Sequence, residues 1–533
     1  MIKVKLTRVT ENPILAIEEA ASNCYDSKPS KSGRIMKACY KNGHHSVLEF
    51  ADFTFHIEGV SRALLAQLTR HRVASYAVRS QRYCSSFGVG FPPLPDGDVK
   101  TNGKQSLFDN QEKFLVKMYN EGYSTNQLEK LYHIPSTTIN GIVKKYQPLR
   151  TLSETKFINK EYFSTIDSRI KAYILGFLYA DGCLSIKGKE GTKQIILDQL
   201  EDEKVLLQNI LYEIKPNGNV INSGHKGMAR IAVQDNTLCS DLEKYGIVPN
   251  KGVTANFTKI IENVKNEYLK DVIRGVFEGD GHINVFYNDK NEINDAVFNI
   301  AGTFNTCEQI QNILVENLGL NKTKIKHNTN ESYVMSYGGR QQVLKIISWL
   351  YEDINVNFLH SKKAKIIFEL LPEFKKYYQD EITEIISKKY SCVIPPSYFK
   401  DIGIVNSFFI YLEEMKKTYK KIQEELACLG IYGEKANEDA RFVLPNACET
   451  VLELKMNGRE LIHAMNERLC RRAQWEIREL FKAMKTCIED YSEECREFSK
   501  FLVPKCYANF PYVFCTEHES CGIAPKLEEV YKR

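Results

Sequence analysis

The spacing of apolar residues divides the chain into segments of different character. Residues 53–57, read as Phe53-Thr-Phe-His-Ile57, alternate apolar and polar side chains, which predicts a half-buried strand. From Ser61 to Thr69 the apolar spacing is helical, and this predicted helix ends in a run of cationic side chains. Near the other terminus, apolar residues recur at helical spacing from Glu460 to Lys485, which predicts one long amphipathic helix. Both ends of the chain therefore read as mixed helix and strand.

The middle of the chain follows a different pattern. Residues 85–104 are rich in Gly and Pro, as expected of a linker, and residues 105–375 are dense in Lys, Asn, Ile and Tyr. A composition like that of the N-terminal part returns at Val393-Ile-Pro-Pro396. A chain of 533 residues is too long for one core. We therefore predict about three domains, with changes of composition near residues 84 and 393.

Two apolar helices in the middle segment each end in an acid and a glycine. They are Leu175–Gly182 and Ile273–Gly281, and their acids Asp181 and Asp280 are 99 residues apart. One such end alone is explained equally well as a glycine-capped helix. Two at this spacing, each followed by strand-like sequence, favour a paired site. Two carboxylates brought together can bind Mg²⁺ and activate water.

Glycines within these helices supply a reason for the acids to meet. Gly176 and Gly275 lack side chains, so the two helices can approach closely. The later segment His360-Ser-Lys362-Lys363 offers a lysine for phosphate binding, although a solvated face is an equally open alternative.

Residues 122–145 predict a helix-turn-helix. A first helix is followed by a short turn over 132–135 and by a second helix that begins at Ser136. Outward-facing polar side chains and two lysines on the second helix suit a DNA major groove; these are Thr137, Thr138, Asn140, Lys144 and Lys145. A small structural helix pair remains the alternative.

Composition and charge limit the partners and the cellular location that we expect. The net charge of +5 is mild, so no polyelectrolyte partner follows from it. Fifteen irregularly spaced cysteines and no secretory signal predict free thiols in a cytoplasmic protein. No run of about 18 apolar residues occurs, so no membrane-spanning helix is expected.

The densest cluster of candidate functional side chains is Arg70-His71-Arg72, followed after seven residues by Ser80. Such a run of cationic groups repels itself unless an anion binds there, and phosphate is the usual one. In isolation the run would favour a solvated basic helix end or a nucleic-acid patch. The strand and apolar helix before it favour a site instead.

The C-terminal part adds further polar groups at intervals. They lie in the segments Ala440–Pro445, Met456–His463, Asn466–Arg468 and Arg471–Arg478. Together with Arg70-His71-Arg72 and Ser80, these segments resemble the flavin-dependent thymidylate synthases. The paired acidic helices resemble the LAGLIDADG helices of homing endonucleases.

The resemblance implies an α/β (α+β) synthase fold split by an inserted α/β endonuclease domain with a small helix-turn-helix segment. Residues 1–84 and 387–533 would be the synthase halves, 85–160 the linker and helix-turn-helix, and 161–380 the endonuclease. The implied FAD-binding residues are Ser46, Arg70, His71, Arg72, Asn457, Gly458, Arg459 and His463. The implied dUMP-binding residues are Gln67, Arg70, Val78, Arg79, Ser80, Gln81, Arg82, Arg441 and Arg468.

Arg468 would also be catalytic, because its charge favours ionisation of the uracil N3. NADPH and methylenetetrahydrofolate are the implied co-substrates, and Mg²⁺ at Asp181 and Asp280 together with double-stranded DNA would serve the insert. The family builds its sites between subunits of a homotetramer. Val78 departs from the pattern, since relatives often carry Glu or Gln there.

Two alternatives concern the insert. Protein splicing is not expected, because Ile386, Tyr390 and Ser391, not Asn, precede the possible rejoining residues. The chain could also be chiefly an endonuclease with inactive synthase halves.

Overall fold

The computed structural model describes most of the chain. The described residues are 2–24, 26–30, 32–81, 91–95, 100–101, 105–106, 109–150, 158–187, 191–249, 255–328, 332–508 and 512–530. Arg82, implied above in nucleotide binding, and most of the predicted linker at 85–104 lie outside these residues. Within the described ranges, none of the helices has the length and apolar character needed to cross a bilayer.

Strands and helices are numbered along the chain. The strands are β1 Lys3–Val9, β2 Asp52–Ser61, β3 Ala74–Val78, β4 Lys100–Thr101, β5 Gln105–Ser106, β6 Gly182–Lys187, β7 Thr192–Leu200, β8 Ile221–Asn222, β9 Met228–Gln234, β10 Gly281–Tyr287, β11 Ile293–Gly302, β12 Lys326–His327, β13 Tyr333–Gly338 and β14 Glu449–Asn457. The helices are α1 Pro13–Cys24, α2 Arg34–Lys41, α3 Arg62–Leu68, α4 Asp109–Asn120, α5 Thr125–Tyr132, α6 Ser136–Tyr146, α7 Arg169–Asp181, α8 Lys204–Ile214, α9 Asn236–Lys244, α10 Thr258–Asn263, α11 Asn266–Asp280, α12 Phe304–Leu318, α13 Arg340–Tyr351, α14 Ser361–Leu370, α15 Pro372–Tyr390, α16 Ile402–Cys428, α17 Gly433–Ala440, α18 Gly458–Arg468, α19 Trp475–Glu489, α20 Glu493–Ser499 and α21 Leu527–Val530.

The two ends of the chain build one antiparallel sheet in the order β1-β2-β14-β3. The C-terminal strand β14 lies between two N-terminal strands, and its Leu454 pairs with Phe55 on one side and Tyr76 on the other. Phe53 and Phe55 are buried in the same core as Leu454 and Phe481. The strand predicted over 53–57 and the helix predicted over 61–69 are confirmed as parts of β2 and α3. The outer parts therefore fold as one α+β domain.

The single long helix predicted from Glu460 to Lys485 is wrong. The structure has α18, which ends at Arg468, and α19, which begins at Trp475. Gln474 starts the second helix, because its side-chain oxygen accepts hydrogen bonds from the amides of Glu476 and Ile477. Apolar spacing continues on both sides of the break, so periodicity alone does not reveal it.

A buried carboxylate holds the start of α3 against α19. Glu476 is 2% exposed, and its two oxygens accept hydrogen bonds from the Ser61 amide and hydroxyl, both at 2.6 Å. Ser61 in turn caps α3 by accepting from the Leu64 amide.

Replacing Glu476 with alanine is expected to lower the free energy of unfolding of the outer domain by about 2 to 4 kcal/mol, since it breaks a buried hydrogen-bond network. Urea unfolding of the full chain measures this change. Glu479→Ala, on the exposed side of the same helix, is the control and should change little. Equal losses in the two variants would contradict the role given to Glu476.

The middle segment contains two copies of one arrangement. Helix α7 leads into the sheet β6-β7-β9-β8, and α11 leads into the sheet β10-β11-β13-β12. Both sheets are antiparallel. The apolar core between them continues into α15 and α16, where Tyr390 and Phe409 are buried. The core of the insert thus extends past residue 387 through α16 to Cys448, next to the start of β14.

The predicted helix-turn-helix is confirmed as a pair of helices. Ser124 caps α5 in a reciprocal arrangement with Gln127, and His133 ends α5 in the left-handed conformation at φ 55°. Helix α6 begins at Ser136, as predicted. With α4, these helices share a small core that contains Leu115, Leu128 and Ile139.

Candidate functional site

His71 lies at the contact between the two ends of the chain. It is 6% exposed, and its Nε2 accepts a hydrogen bond of 3.0 Å from Nε of Arg468, 397 residues away. Because Nε2 is an acceptor, Nδ1 carries the proton and donates a hydrogen bond of 3.1 Å to Glu460. Burial, together with the charge of Arg468, lowers the pKa of His71. The histidine is therefore neutral, and it orients the arginine.

The turn that carries Arg70, His71 and Arg72 is fixed from behind. The Tyr76 hydroxyl donates to the carbonyl oxygens of both Leu68 and His71 at 2.8 Å. Arg70 and Arg72 remain exposed on either side of the buried His71. The motif thus divides into one internal histidine and two outward cations.

Most of the residues predicted to hold FAD come together at this end of the outer sheet. Arg459 forms an ion pair of 2.7 Å with Glu49, which shares a 3₁₀ turn, His45–Phe50, with the exposed Ser46. The His71 and His463 rings lie 6.2 Å apart between centroids. The sequence therefore predicted a set of residues that the fold does bring into one region.

Asn457 and Gly458, also predicted to hold FAD, have structural contacts of their own. Asn457 caps α18 by accepting a hydrogen bond from the Glu460 amide at 2.9 Å. A Cβ on Gly458 would lie 2.7 Å from the carbonyl oxygen of Leu48. Close backbone approach explains the glycine, and the cap commits the Asn457 side-chain oxygen.

A second group of predicted residues lies beyond the far end of β3. Arg79, Ser80 and Gln81 line a cavity of about 650 Å³ together with Arg62. Arg62 donates from a terminal nitrogen to the Arg79 carbonyl oxygen at 2.8 Å. Its Nε is buried with no hydrogen-bond partner among the described residues. Sequence reasoning missed Arg62, because nothing local distinguishes it from a helix-start cation.

The same cavity receives residues from α15, the helix that leads from the insert to the C-terminal part of the chain. Helix α15 contributes Asp380, Glu381 and Glu384 to the lining, together with Arg79 to Gln81. Arg441 lies close enough to Arg62 for its charge, after the larger effect of burial, to help lower the pKa of Arg62. The cavity therefore combines residues from both ends of the chain and from α15.

The residues predicted to hold dUMP are not all in one place within the chain. Gln67 and Arg70 precede β3, and Arg468 lies at the same end through its hydrogen bond to His71, whereas Ser80 and Gln81 follow β3. A five-residue strand spans roughly 16 Å. Val78, within β3, pairs with Leu452. One chain therefore supplies two separate halves of the predicted nucleotide site.

In the insert, the two acidic helices touch backbone to backbone. A Cβ on Gly176 would lie 2.0 Å from the Val272 carbonyl oxygen, and one on Gly275 would lie 2.3 Å from the Tyr173 carbonyl oxygen. The predicted close approach at these glycines is confirmed. At the ends of the helices, a Cβ on Gly279 would lie 3.2 Å from Oδ2 of Asp181, so Asp181 is next to the residue before Asp280.

Neighbouring polar side chains surround this pair of acids. Gln199 donates to Oδ2 of Asp181 at 2.6 Å, and the Lys363 ammonium donates to the Gly281 carbonyl oxygen. Burial lowers the pKa of Lys363, against the opposing charges of Glu278, Asp181 and Asp280. Lys362 is exposed. Of the two lysines singled out in the sequence, Lys363 is the one that lies beside the acids.

No group of three His, Cys, Asp or Glu side chains that could hold a metal ion occurs in the described ranges. Mg²⁺ in nucleic-acid enzymes is commonly held by one or two carboxylates together with phosphate oxygens. The two acids at the helix ends fit that ligand chemistry.

The second helix of the helix-turn-helix presents a polar face. Thr137, Lys144 and Lys145 are exposed, and Thr138 and Asn140 are partly exposed. Lys145 forms an ion pair of 2.7 Å with Glu112 of α4. The placement agrees with the outward side chains predicted for α6.

The fold and these contacts define an interrupted α+β protein, in which the two chain ends close one domain and carry a second between them. A family model described as "Thymidylate synthase complementing protein" matches residues 5–147 and 367–491, together half of the chain. The chain belongs to that family.

Two relatives are flavin-dependent thymidylate synthases. The protein from Geobacter sulfurreducens is 40% identical over 129 residues, which cover 22% of this chain and 56% of that protein. The protein from Clostridium tetani is 32% identical over 169 residues, which cover 30% of this chain and 64% of that protein. The chain thus spans less than two thirds of the length of either relative.

Solved structures similar to the chain include two LAGLIDADG endonucleases. The meganuclease I-AabMI bound to uncleaved DNA has a TM-score of 0.29 at 15% identity and covers 39% of this chain and 91% of its own. The homing endonuclease I-LtrWI bound to target DNA has a TM-score of 0.28 at 15% identity, and the match covers 44% of this chain and 98% of that one.

The neutral His71 makes stability depend on pH in a defined direction. Its folded pKa lies below the ordinary value of 6.5, so the unfolded chain binds more protons as the pH falls through 6.5. We expect the free energy of unfolding of the outer domain to decrease on acidification below about pH 6.5, and His71→Gln to flatten that dependence. Urea unfolding between about pH 5 and 7.5 measures it.

His56→Gln is the control for this prediction. Hydrogen bonds to Glu453 and Glu58 raise the pKa of His56, so its contribution is present below pH 6.5 and is lost as the pH rises. Its removal should steepen the loss in acid. An unchanged pH dependence in His71→Gln would contradict the neutral state assigned to His71.

Proposed function

We propose that the outer domain is a flavin-dependent thymidylate synthase, which converts dUMP to dTMP with FAD, NADPH and methylenetetrahydrofolate. The observation that carries the proposal is the His71–Arg468 hydrogen bond, through which the two halves of the signature meet. The relatives named above support the same activity. We also propose that the protein is cytoplasmic, as expected for an enzyme that uses these substrates.

The exposed cations at this end of the sheet fit the chemistry of FAD. Arg70, Arg72 and Arg459 offer guanidinium groups suited to its diphosphate, and His463 lies beside them. When bound, the flavin would transfer reducing equivalents from NADPH to the one-carbon unit that becomes the methyl group. The chain's own residues bind and orient the reactants.

Arg468 has the central role in this proposal. Its Nε–H is engaged by His71, which fixes the plane of the guanidinium and leaves its terminal nitrogens available for uracil. A fixed positive charge there stabilises negative charge that develops on the pyrimidine during the reaction. The neutral His71 adds no competing charge at this point.

The cavity beyond β3 fits the nucleotide phosphate. Arg62 Nε lacks a partner among the described residues, and Arg79, Ser80 and Gln81 line the same space. Because the uracil-side and phosphate-side residues lie at opposite ends of β3, a complete site requires two subunits. This separation supports assembly as a homotetramer.

The decisive experiment is spectroscopic. Full-length protein of 61.3 kDa should purify with a flavin spectrum, and dUMP should be required for rapid oxidation of the reduced flavin by methylenetetrahydrofolate. Intact mass reports at once whether the insert stays in the chain. Colourless protein that does not bind added FAD would reject the synthase proposal.

We also propose that the insert is a site-specific DNA endonuclease that uses Mg²⁺ at Asp181 and Asp280. Two carboxylates at one point and the adjacent Lys363 can hold metal and phosphate, and the polar face of α6 suits the major groove. An uninterrupted copy of the host gene is the DNA to test. Asp181→Asn and Asp280→Asn should abolish cleavage, whereas Asp289→Asn, at an exposed turn, should not.

These experiments also distinguish the alternative, in which the chain is chiefly an endonuclease. Cleavage by a protein that neither binds FAD nor responds to dUMP would mean that the synthase halves are inactive. Failure of the wild-type protein to cut the uninterrupted gene would reject the endonuclease proposal.

The acidic wall of α15 is expected to weaken nucleotide binding. Asp380 and Glu381 face the cavity with Arg79 and Ser80, where they oppose a phosphate. The double variant Asp380→Asn, Glu381→Gln should lower the KM for dUMP roughly three- to tenfold. Steady-state dTMP formation at low salt measures this effect. Glu373→Gln, exposed on the same helix, is the matched control, and an equal change there would contradict the prediction.

A further inference from the structure

Two cysteines face each other where the outer domain resumes after the insert. Cys392 follows α15, Cys448 precedes β14, and the two residues form an isolated antiparallel bridge. Their sulfur atoms are 3.8 Å apart, and the residues are 1% and 0% exposed. All 14 cysteines in the described part of the chain are free thiols, so this pair is reduced.

The backbone places the pair in the register that suits a cross-strand bond. The Val393 amide donates to the Ala447 carbonyl at 2.8 Å, and the Glu449 amide donates to the Ser391 carbonyl at 2.7 Å. These bonds flank the cysteines, which are therefore a non-hydrogen-bonded pair, the type with the closer Cα atoms, about 4.5 Å. A disulfide tolerates Cα separations of about 4.4 to 6.8 Å. The sulfurs can close from 3.8 Å without moving the strands.

The two thiols are chemically unequal. A hydrogen bond from Cys392 and the nearby Arg62 guanidinium lower the pKa of Cys448, against the opposing effect of burial. The same hydrogen bond, together with burial, raises the pKa of Cys392. Cys448 is thus the sulfur that reaches the thiolate state first, and the thiolate is the nucleophile.

The pair lies next to a cavity large enough to admit a small oxidant. Ser391 and Glu449, each adjacent in sequence to one of the cysteines, line the cavity of about 650 Å³. Arg62 lines the same cavity and lies within electrostatic reach of Cys448. On both strands, the residue next to the buried cysteine lines the cavity.

We propose that Cys392 and Cys448 are a redox modification site, oxidised to a disulfide by hydrogen peroxide. The Cys448 thiolate attacks one peroxide oxygen, the O–O bond breaks, and the departing hydroxide takes a proton to become water. The Cys392 thiol then attacks the resulting sulfenic sulfur, the S–S bond forms, and the leaving hydroxide takes the Cys392 proton to become water. Two thiols lose two electrons, and one peroxide becomes two waters.

The disulfide would tie the segment that leaves the insert to the start of β14, beside the Arg79–Gln81 cavity. It would also remove the thiolate that faces Arg62. The modification site does not rest on the proposed synthase activity, because no flavin or nucleotide takes part in the bond.

Peptide mapping of the intact full chain tests the proposal. Wild-type protein is treated with limiting peroxide, alkylated in denaturant with N-ethylmaleimide and digested with trypsin. Cleavage yields Tyr390–Lys400 and Phe442–Lys455, each with one cysteine. We expect these two peptides to appear as one cross-linked species in most of the chains, and to separate after dithiothreitol.

Variants assign the chemistry. Cys392→Ser should leave Cys448 as a sulfenic acid that dimedone traps, whereas Cys24→Ser, at an exposed thiol, should leave the cross-link unchanged. Recovery of both wild-type peptides as separate alkylated species, while Cys24 is oxidised, would overturn the proposal. This wild-type result decides the question even if a variant does not fold.

Discussion

Replacing Gly176 with alanine is expected to abolish DNA cleavage and to lower the free energy of unfolding of the insert by roughly 3 kcal/mol or more. The new Cβ would lie 2.0 Å from the Val272 carbonyl oxygen and 2.8 Å from its carbon. Backbone atoms cannot rotate away as a side chain can, so α7 and α11 must separate. Because Asp181 and Asp280 end these helices, separation also moves the two acids apart.

Gly275→Ala should have the same effect, since its Cβ would lie 2.3 Å from the Tyr173 carbonyl oxygen. Gly141, a helical glycine in α6 with nothing within 4 Å of a Cβ, is the matched control. Gly141→Ala should stabilise its helix by up to about 1 kcal/mol. Calorimetry measures the stability of all three variants, and plasmid cleavage measures the activity of Gly176→Ala and Gly275→Ala. Full cleavage by Gly176→Ala would show that the helices do not meet as described.

Replacing Arg468 with alanine is expected to reduce dTMP formation about 100- to 1,000-fold, as removal of a preorganised charge from a reaction centre does. The arginine is held by His71, which is itself held by Glu460, so its position is fixed before substrate binds. Arg468→Lys should recover little, because lysine lacks the planar fork that lets one nitrogen bind His71 while the others face the substrate.

Arg471→Ala is the control for this prediction. Arg471 is exposed, and its carbonyl oxygen, not its side chain, accepts the hydrogen bond from Arg478. The control should retain dTMP formation and dUMP-dependent flavin oxidation. If Arg468→Ala also retained both, the catalytic role would be lost, whatever the fate of flavin binding.

Local patterns in the sequence predicted what depends on neighbours along the chain. The strand at 53–57 and the close contact at Gly176 and Gly275 follow from alternation and from residue size. The break between α18 and α19 was not predicted, because Gln474 starts a helix without interrupting the apolar spacing. Such a cap is read from hydrogen bonds, not from periodicity.

Long-range placement was harder to predict. The resemblance implied that both halves form one site, but β14 between β2 and β3 is a pairing between distant segments. The same holds for Arg62 and for the acidic wall of α15, which reach one cavity only through the tertiary fold. The division of the nucleotide residues between the ends of β3 likewise appears only once the strand is in place.

The position of β14 has a consequence for synthesis on the ribosome. His71 and its partner Arg468 are 397 residues apart, and at about 5 to 20 residues per second the delay between them is on the order of 20 to 80 s. For that time β2 and β3 lack the strand that lies between them, while most of the core of the insert is already synthesised. The nascent N-terminal segment therefore exposes unpaired strand edges, and chaperones that shield such edges would decide how much of the outer domain matures.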